Sequence, residues 1–218
     1  MIQALHHIAL QPEGDTPGPH PAMIMVHGRG ADEDDLPGLA SQLDGRLHIL
    51  SVRAPFPFTY GGGYTWYDVG EAGSPEPTMF REGYDRLSQF VDEALREYPI
   101  DPARLFLLGF SMGAVMSLAL GLARPGVVRG VAAHSGYVAE GTHLQYRWDE
   151  LSGTSFFIAH GTLDPIVPIA MARRAKALLA ASRAPHVYRE YPMAHQMSEE
   201  SLGDLAAWLQ PLLDHPGS

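Results

Sequence analysis

The 218-residue sequence contains no cysteine. A disulfide framework, a thiolate nucleophile and a metal site built on sulfur are therefore excluded, and we expect a cytoplasmic protein. Long apolar runs are also missing, since none approaches the ~18 residues that a membrane-spanning helix needs. The first residues, MIQALHHIALQPEG, lack the cationic start of a secretory signal. We expect no stable insertion into a membrane.

Positive charge is scarce: the sequence has 15 Lys and Arg residues but 25 Asp and Glu residues, which gives a net charge of −10. Nucleic-acid binding depends on clustered Lys and Arg that neutralise phosphates, so the sequence predicts no nucleic-acid partner. With 45% hydrophobic and 18% charged residues, the composition is typical of a globular protein. The length fits one domain, residues 1–218, with a sheet covered on both faces.

Short apolar runs alternate with helical patterns along the chain. Continuous apolar runs predict buried strands at 22–28, 47–55, 104–110, 127–136, 154–161 and 186–193. The segments between them predict helices at 31–43, 79–98, 114–123, 169–182 and 198–213. Such alternation indicates an α/β fold with a mostly parallel sheet. LHHIAL (5–10) adds a predicted edge strand, and the Gly/Pro-rich stretch 55–78 predicts a long, functional loop.

A single serine stands between two glycines in Gly109-Phe110-Ser111-Met112-Gly113, directly after an apolar run and before a helical pattern. This is the strand-turn-helix context of the G-x-S-x-G nucleophile motif. The small residues on either side allow a turn sharp enough to expose the hydroxyl. The alternative interpretation is an ordinary serine cap on a buried helix.

A serine hydroxyl becomes a nucleophile only when a histidine accepts its proton and a carboxylate orients that histidine. Asp164 follows a predicted strand in FFIAHGTLDPIVP, and His195 lies between the last predicted strand and the last helix. Both follow Ser111 in the order acid, then histidine, that this architecture requires. The other ten histidines fit that order or position less well. The alternative for Asp164 is a turn-forming role in its Asp-Pro dipeptide.

The segment VHGRGADEDDL follows the second predicted strand. Acyl transfer needs two N–H donors for the oxyanion, and the motif assigns them to the amides of Arg29 and Met112. A dinucleotide or phosphate loop is excluded, because Glu33 stands where the third glycine would be and no Gly-Lys-Ser/Thr follows. The acidic run 32–35 is expected in the first turn of the next helix rather than at a metal site.

Five blocks together resemble the phospholipase/carboxylesterase family of α/β-hydrolases: HGRGADEDDL, RAPFPFTYGGGYTWYDV, GFSMGA, HGTLDPIVP and MAHQMSEESL. The resemblance covers roughly residues 20 to 210. It implies an α/β-hydrolase fold without a large cap domain and a triad of Ser111, Asp164 and His195. It also implies oxyanion amides at Arg29 and Met112, no cofactor and no metal, and a small-molecule ester, thioester or lysophospholipid as substrate.

The family includes acyl-protein thioesterases and small bacterial esterases. The thioesterases usually carry an apolar residue at the position of Arg29 and Gln at that of Met112, so this chain looks closer to the bacterial esterases. The Arg29 side chain is expected either in the cleft, where it favours a polar or anionic substrate, or in an ion pair with the acidic run 32–35.

Substrate contacts are expected from Trp66, Tyr67 and Ile166. The alternative for the two aromatic residues is that they only pack the long loop in place. Two other functions remain open: a non-catalytic binding protein with a hydrolase fold, and a small serine peptidase or amidase. The sequence is compatible with a monomer or a homodimer.

Overall fold

The computed structural model describes residues 2–14, 17–70 and 74–215, so that part of the predicted loop 55–78 lies outside the described residues. The strands are His7–Leu10 (β1), His20–Val26 (β2), His48–Val52 (β3), Phe56–Pro57 (β4), Tyr64–Thr65 (β5), Ile100–Phe110 (β6), Gly130–His134 (β7), Ser155–Gly161 (β8) and His186–Tyr191 (β9). The α-helices are Pro77–Glu97 (α1), Met112–Ala123 (α2), Ile169–Ser182 (α3) and Glu199–Asp214 (α4). Within the described ranges, 3₁₀ helices span Pro37–Gln42 and Trp148–Gly153.

Seven strands form the central sheet, in the order β1-β3-β2-β6-β7-β8-β9. Only β1 runs antiparallel to its neighbour, and the other pairs are parallel. The predicted mostly parallel sheet and its edge strand are therefore confirmed. The short strands β4 and β5 pair separately as a small hairpin within the 55–78 loop.

The two faces of the sheet bury different helices. Along each central strand, alternate residues belong to two separate hydrophobic clusters, as the two-residue period of a strand requires. The larger cluster packs α1, α2 and α3 against one face. The smaller cluster packs α4 and the first 3₁₀ helix against the other face. Strands covered on both sides in this way explain the continuous apolar runs of the sequence.

The predicted helix at 31–43 is wrong. Only the 3₁₀ helix Pro37–Gln42 forms there, and Ala31 instead makes an isolated β-bridge with Tyr64. Pro37 has no N–H, and in an α-helix its ring would meet the carbonyl of Glu33, which disfavours an α-helix through this segment. The acidic run 32–35 consequently lies ahead of a 3₁₀ turn and not in the first turn of an α-helix.

The carboxyl ends of the parallel strands meet at one edge of the sheet. Strands β2, β6, β8 and β9 end there, and the segments that hold Arg29, Ser111, Asp164 and His195 follow them directly. This edge is where open α/β sheets bind ligands. Within the described ranges, every helix is too short or too polar to cross a membrane.

Gly113 allows α2 to lie directly on β2. A Cβ atom at this position would overlap the carbonyl oxygen of Val26, which is backbone and cannot rotate away. We predict that Gly113→Ala lowers the free energy of unfolding by about 1–3 kcal/mol, the usual range for overpacking. The measurement is urea denaturation of the variant and the wild type.

The matched control is Gly203→Ala in α4, where an added Cβ meets nothing within 4 Å. Because alanine favours a helix over glycine, this variant should be more stable by up to about 1 kcal/mol. Equal stability of the Gly113→Ala protein and the wild type would contradict the close approach of α2 to β2.

Candidate active site

Ser111 sits on a sharp turn between β6 and α2. Its backbone has φ 54° and ψ −118°, a conformation that residues other than glycine rarely adopt. The Ser111 N–H donates to the carbonyl of His134, 2.9 Å away, which ties the turn to the neighbouring strand. A Cβ at Gly28 would lie 3.3 Å from the Ser111 Cβ, so the loop after β2 approaches the serine closely.

His195 joins the serine to a carboxylate. Its Nε2 lies 2.9 Å from Ser111 Oγ, and its Nδ1 lies 2.7 Å from Asp164 Oδ2. Because the carboxylate can only accept, Nδ1 carries the proton and Nε2 is free to accept from the hydroxyl. The imidazole also packs against the Phe110 ring, with 5.0 Å between ring centroids. The three side chains that the sequence singled out thus form one hydrogen-bonded chain.

The Asp164 side chain is fully buried. Burial favours the neutral acid, but hydrogen bonds from His195 and from the amides of Val167 and Ile166 outweigh it and bring the pKa of Asp164 below its ordinary value. The carboxyl group is therefore ionised at neutral pH. It holds the His195 ring in one tautomer and one orientation.

A second histidine contacts the same carboxylate, and the sequence analysis missed it. His160 is completely buried near the end of β8, and its Nε2 donates to the carbonyl of Val167 at 2.8 Å. The same atom lies 3.5 Å from Asp164 Oδ2. His160 therefore holds both ends of the 164–167 turn through its contacts with Asp164 and Val167. A polar residue near the end of the apolar run FFIA was the available signal in the sequence.

Buried groups also fasten the loop 27–31, which carries the Arg29 amide. The Ala54 N–H donates to His27 Nε2, so His27 Nδ1 holds the proton and donates to the Gly28 carbonyl. Burial lowers the pKa of His27, which favours this neutral ring. The Trp66 indole N–H donates to the His27 carbonyl at 3.0 Å. In the described chain, neither the Arg29 amide nor the Met112 amide has an acceptor.

An ion pair holds the far end of this loop. Both Glu33 carboxylate oxygens accept from Arg53, which also donates to the Tyr64 hydroxyl. Arg53 holds the pKa of the buried Glu33 below its ordinary value. The Tyr64 backbone in turn exchanges hydrogen bonds with Gly30 and Ala31. The acidic run thus supplies a structural carboxylate, and the described residues include no group of three or more His, Asp or Glu arranged for a metal ion.

A cleft of about 360 Å³ opens beside Ser111. Tyr67 and Ile166, two of the predicted substrate contacts, line it. Trp66 does not: it is fully buried, and its contact with the His27 carbonyl gives it the packing role that was the alternative expectation. Further apolar lining, not expected from the sequence, comes from Val69, Val167, Pro168 and Met171.

Arg29 lines the mouth of this cleft. Its guanidinium lies over the ring of Phe58, 5.5 Å from the ring centroid. The expected alternative, an ion pair with the acidic run, does not form, and Glu33 of that run is bound to Arg53 instead.

Comparison with known proteins agrees with this architecture. Residues 13–213 match the model of the Phospholipase/Carboxylesterase family. The chain is similar to acyl-protein thioesterase 1 of Debaryomyces hansenii, with 30% identity over 88% of this chain and 91% of the relative. It is also similar to carboxylesterase SOBER1 of Arabidopsis thaliana, with 27% identity over 74% of this chain and 75% of the relative.

Among solved structures, the carboxylesterase of Bacillus cereus superimposes with a TM-score of 0.84 and 25% identity, over 95% of this chain and 94% of that one. The fold is therefore that of the α/β-hydrolases, as the sequence predicted. The match spans nearly the whole chain, so the protein belongs to the phospholipase/carboxylesterase family of hydrolases.

Proposed function

We propose that this protein is a serine hydrolase that cleaves small carboxylic esters through an acyl-enzyme on Ser111. The observation that carries the proposal is the hydrogen-bonded chain from Ser111 through His195 to Asp164. Membership of a hydrolase family supports it independently. A cleft volume of about 360 Å³ is near the lower end for ligand pockets and fits a short acyl group.

In the first half of the reaction, Ser111 Oγ attacks the substrate carbonyl while His195 Nε2 accepts its proton. Negative charge then develops on the carbonyl oxygen, and the amides of Arg29 and Met112 donate hydrogen bonds to it. Met112 is the first residue of α2, so its N–H has no acceptor within the helix and is available for this role. The alcohol leaves with the proton from His195, and the acyl group stays on Ser111.

In the second half, water attacks the acyl-enzyme and gives its proton to His195. The tetrahedral intermediate collapses, Ser111 recovers its proton, and the carboxylic acid leaves. Asp164 stays ionised throughout and stabilises the imidazolium that forms in each half. Thioesters are the second candidate substrate, because the same route cleaves them and the Debaryomyces hansenii relative is named an acyl-protein thioesterase.

Removal of the nucleophile tests the assignment. We predict that Ser111→Ala lowers ester turnover by several orders of magnitude, because triad members act as a unit. It should also abolish labelling by a fluorophosphonate probe. The matched control is Ser135→Ala, since Ser135 also has a positive φ of 54° but is completely buried. Near-native turnover in Ser111→Ala, or labelling that survives there and disappears in Ser135→Ala, would refute the role of Ser111.

The pH dependence tests the base. Only neutral His195 can accept the serine proton, whereas the lowered pKa of Asp164 keeps that group ionised in mild acid. Therefore kcat/KM for an uncharged ester should fall on acidification with a limiting slope of about tenfold per pH unit, which corresponds to one proton. A kcat/KM that does not fall on acidification would contradict the role of His195. A slope of two protons would contradict the ionised state of Asp164.

Loop anchoring is tested by removing one indole N–H. In Trp66→Phe, the His27 carbonyl loses its donor and the Arg29 amide is held less firmly, so kcat should fall about tenfold with little change in KM. The control is Trp208→Phe, which loses an equivalent bond to Ser155 at the opposite end of β8. Steady-state kinetics of both variants decide the point, and equal kcat values for the two would show that the anchor has no effect on the chemistry.

A further inference from the structure

Arg29 is placed to do more than supply a backbone amide. Its side chain is exposed at the mouth of the cleft and steadied by the Phe58 ring, 5.5 Å from the guanidinium carbon. Most other arginines in the described chain form ion pairs with carboxylates, but Arg29 forms none there. A planar guanidinium held on an aromatic face and free of a carboxylate partner can bind a carboxylate with two parallel hydrogen bonds.

The cleft itself favours an anion near this guanidinium. Of the residues that line it in the described chain, Arg29 is the one cation, and none is acidic. Tyr67 and Tyr137 add two hydroxyl groups that lie next to each other. Burial raises the pKa of Tyr67 well above its ordinary value, while the nearby charge of Arg29 acts in the opposite direction. The Tyr67 hydroxyl is therefore neutral, so the tyrosines add polar groups but no negative charge to the cleft.

A second cleft, of about 280 Å³, shares no lining residue with the first and is lined by His195, Phe110, Leu36 and Asp35. Since His195 protonates the leaving alcohol, the alcohol belongs on this side and the acyl group belongs in the cleft of Arg29. The carboxylate of Asp35 disfavours a second anion on the alcohol side. The two clefts thus differ in charge as well as in position.

We propose that the preferred substrate is a half-ester of a short dicarboxylic acid, whose free carboxylate binds the Arg29 side chain. The inference rests on the ester hydrolysis proposed above and names its substrate class. The Arg29 amide is beside the scissile carbonyl, so the reach of the same side chain limits the carboxylate to a few bonds from that carbonyl. The ester bond breaks, the alcohol takes a proton from His195, and water then releases the dicarboxylate from Ser111.

The net charge of −10 opposes the approach of an anion. At 0.1 M ionic strength, however, charges more than about 10 Å apart are largely screened, whereas a guanidinium in contact with a carboxylate is not. The local pair therefore decides binding once the substrate is in the cleft. A hydrogen-bonded charge pair of this kind changes kcat/KM by about tenfold or more.

The test measures kcat/KM of the wild-type protein for three esters. Ethyl pentanoate is the neutral reference, monoethyl glutarate carries a carboxylate at the end of an acyl chain of equal length, and pentanoyl glycolate carries it on the alcohol. We expect kcat/KM for monoethyl glutarate to exceed that for ethyl pentanoate by about tenfold or more, and pentanoyl glycolate to show no such gain.

Variants then assign the preference to Arg29. The readout is the ratio of kcat/KM for monoethyl glutarate to that for ethyl pentanoate, because a ratio cancels any change in the oxyanion hole. Arg29→Gln should reduce this ratio to about one or below, and Arg29→Lys should retain part of it. Arg81→Gln is the control, since it removes an equal charge from the exposed face of α1. It should leave the ratio unchanged.

The outcomes separate the two levels of the proposal. Hydrolysis of ethyl pentanoate with no preference for monoethyl glutarate, or a preference that survives in Arg29→Gln, overturns the substrate class and leaves the esterase intact. A gain for pentanoyl glycolate in place of glutarate overturns the assignment of the acyl cleft. If none of the esters is hydrolysed and a fluorophosphonate does not label Ser111, the proposed function itself fails.

Discussion

The strained turn at Ser111 is the constraint on which the rest of the site depends. Its positive φ sends the chain directly from β6 into α2, so the Ser111 hydroxyl and the first amide of the helix, that of Met112, come side by side at one end of the sheet. Such a conformation persists only where surrounding structure enforces it. Here the enforcement comes from Gly109 and Gly113, where any side chain would overlap backbone, and from the nearly complete burial of α2. Strain in the turn is thus balanced by helix packing on the sheet.

The loop that faces this turn is fixed by polar groups rather than by apolar packing alone. Neutral His27, the Trp66 indole and the Glu33–Arg53 pair each satisfy buried hydrogen-bonding atoms of the segment 27–33 or of the Tyr64 strand beside it. An unpaired buried polar group is costly, so each contact favours a single loop arrangement. The Arg29 amide is therefore held in one orientation, which is what the proposed stabilisation of a developing oxyanion requires. In the same way, His160 holds the turn of Asp164 through its hydrogen bond to the Val167 carbonyl and its contact with the carboxylate.

Much of the fold and the hydrogen-bonded chain of the site could be predicted from the sequence, because both depend on local patterns. Continuous apolar runs mark strands covered on two faces, and helix α3 has the predicted bounds 169–182. The order of Ser111, Asp164 and His195 follows from the order of the strands. The errors have two sources. The predicted helix 31–43 overlooked the local signal of Pro37 and the distant bridge between Ala31 and Tyr64. Trp66 turns inward to a carbonyl that no local pattern reveals.

The central claim is that four groups act on the same substrate carbonyl. They are the hydroxyl of Ser111, the imidazole of His195 and the backbone amides of Arg29 and Met112. A crystal structure of the protein after reaction with a small alkyl phosphonate measures this directly, because the adduct mimics the tetrahedral intermediate. The phosphorus should be bonded to Ser111 Oγ, with one phosphonyl oxygen roughly 2.7–3.1 Å from both the Arg29 and Met112 nitrogens. An adduct on another residue, or an oxygen turned away from both amides while His195 remains in place, would contradict the claim.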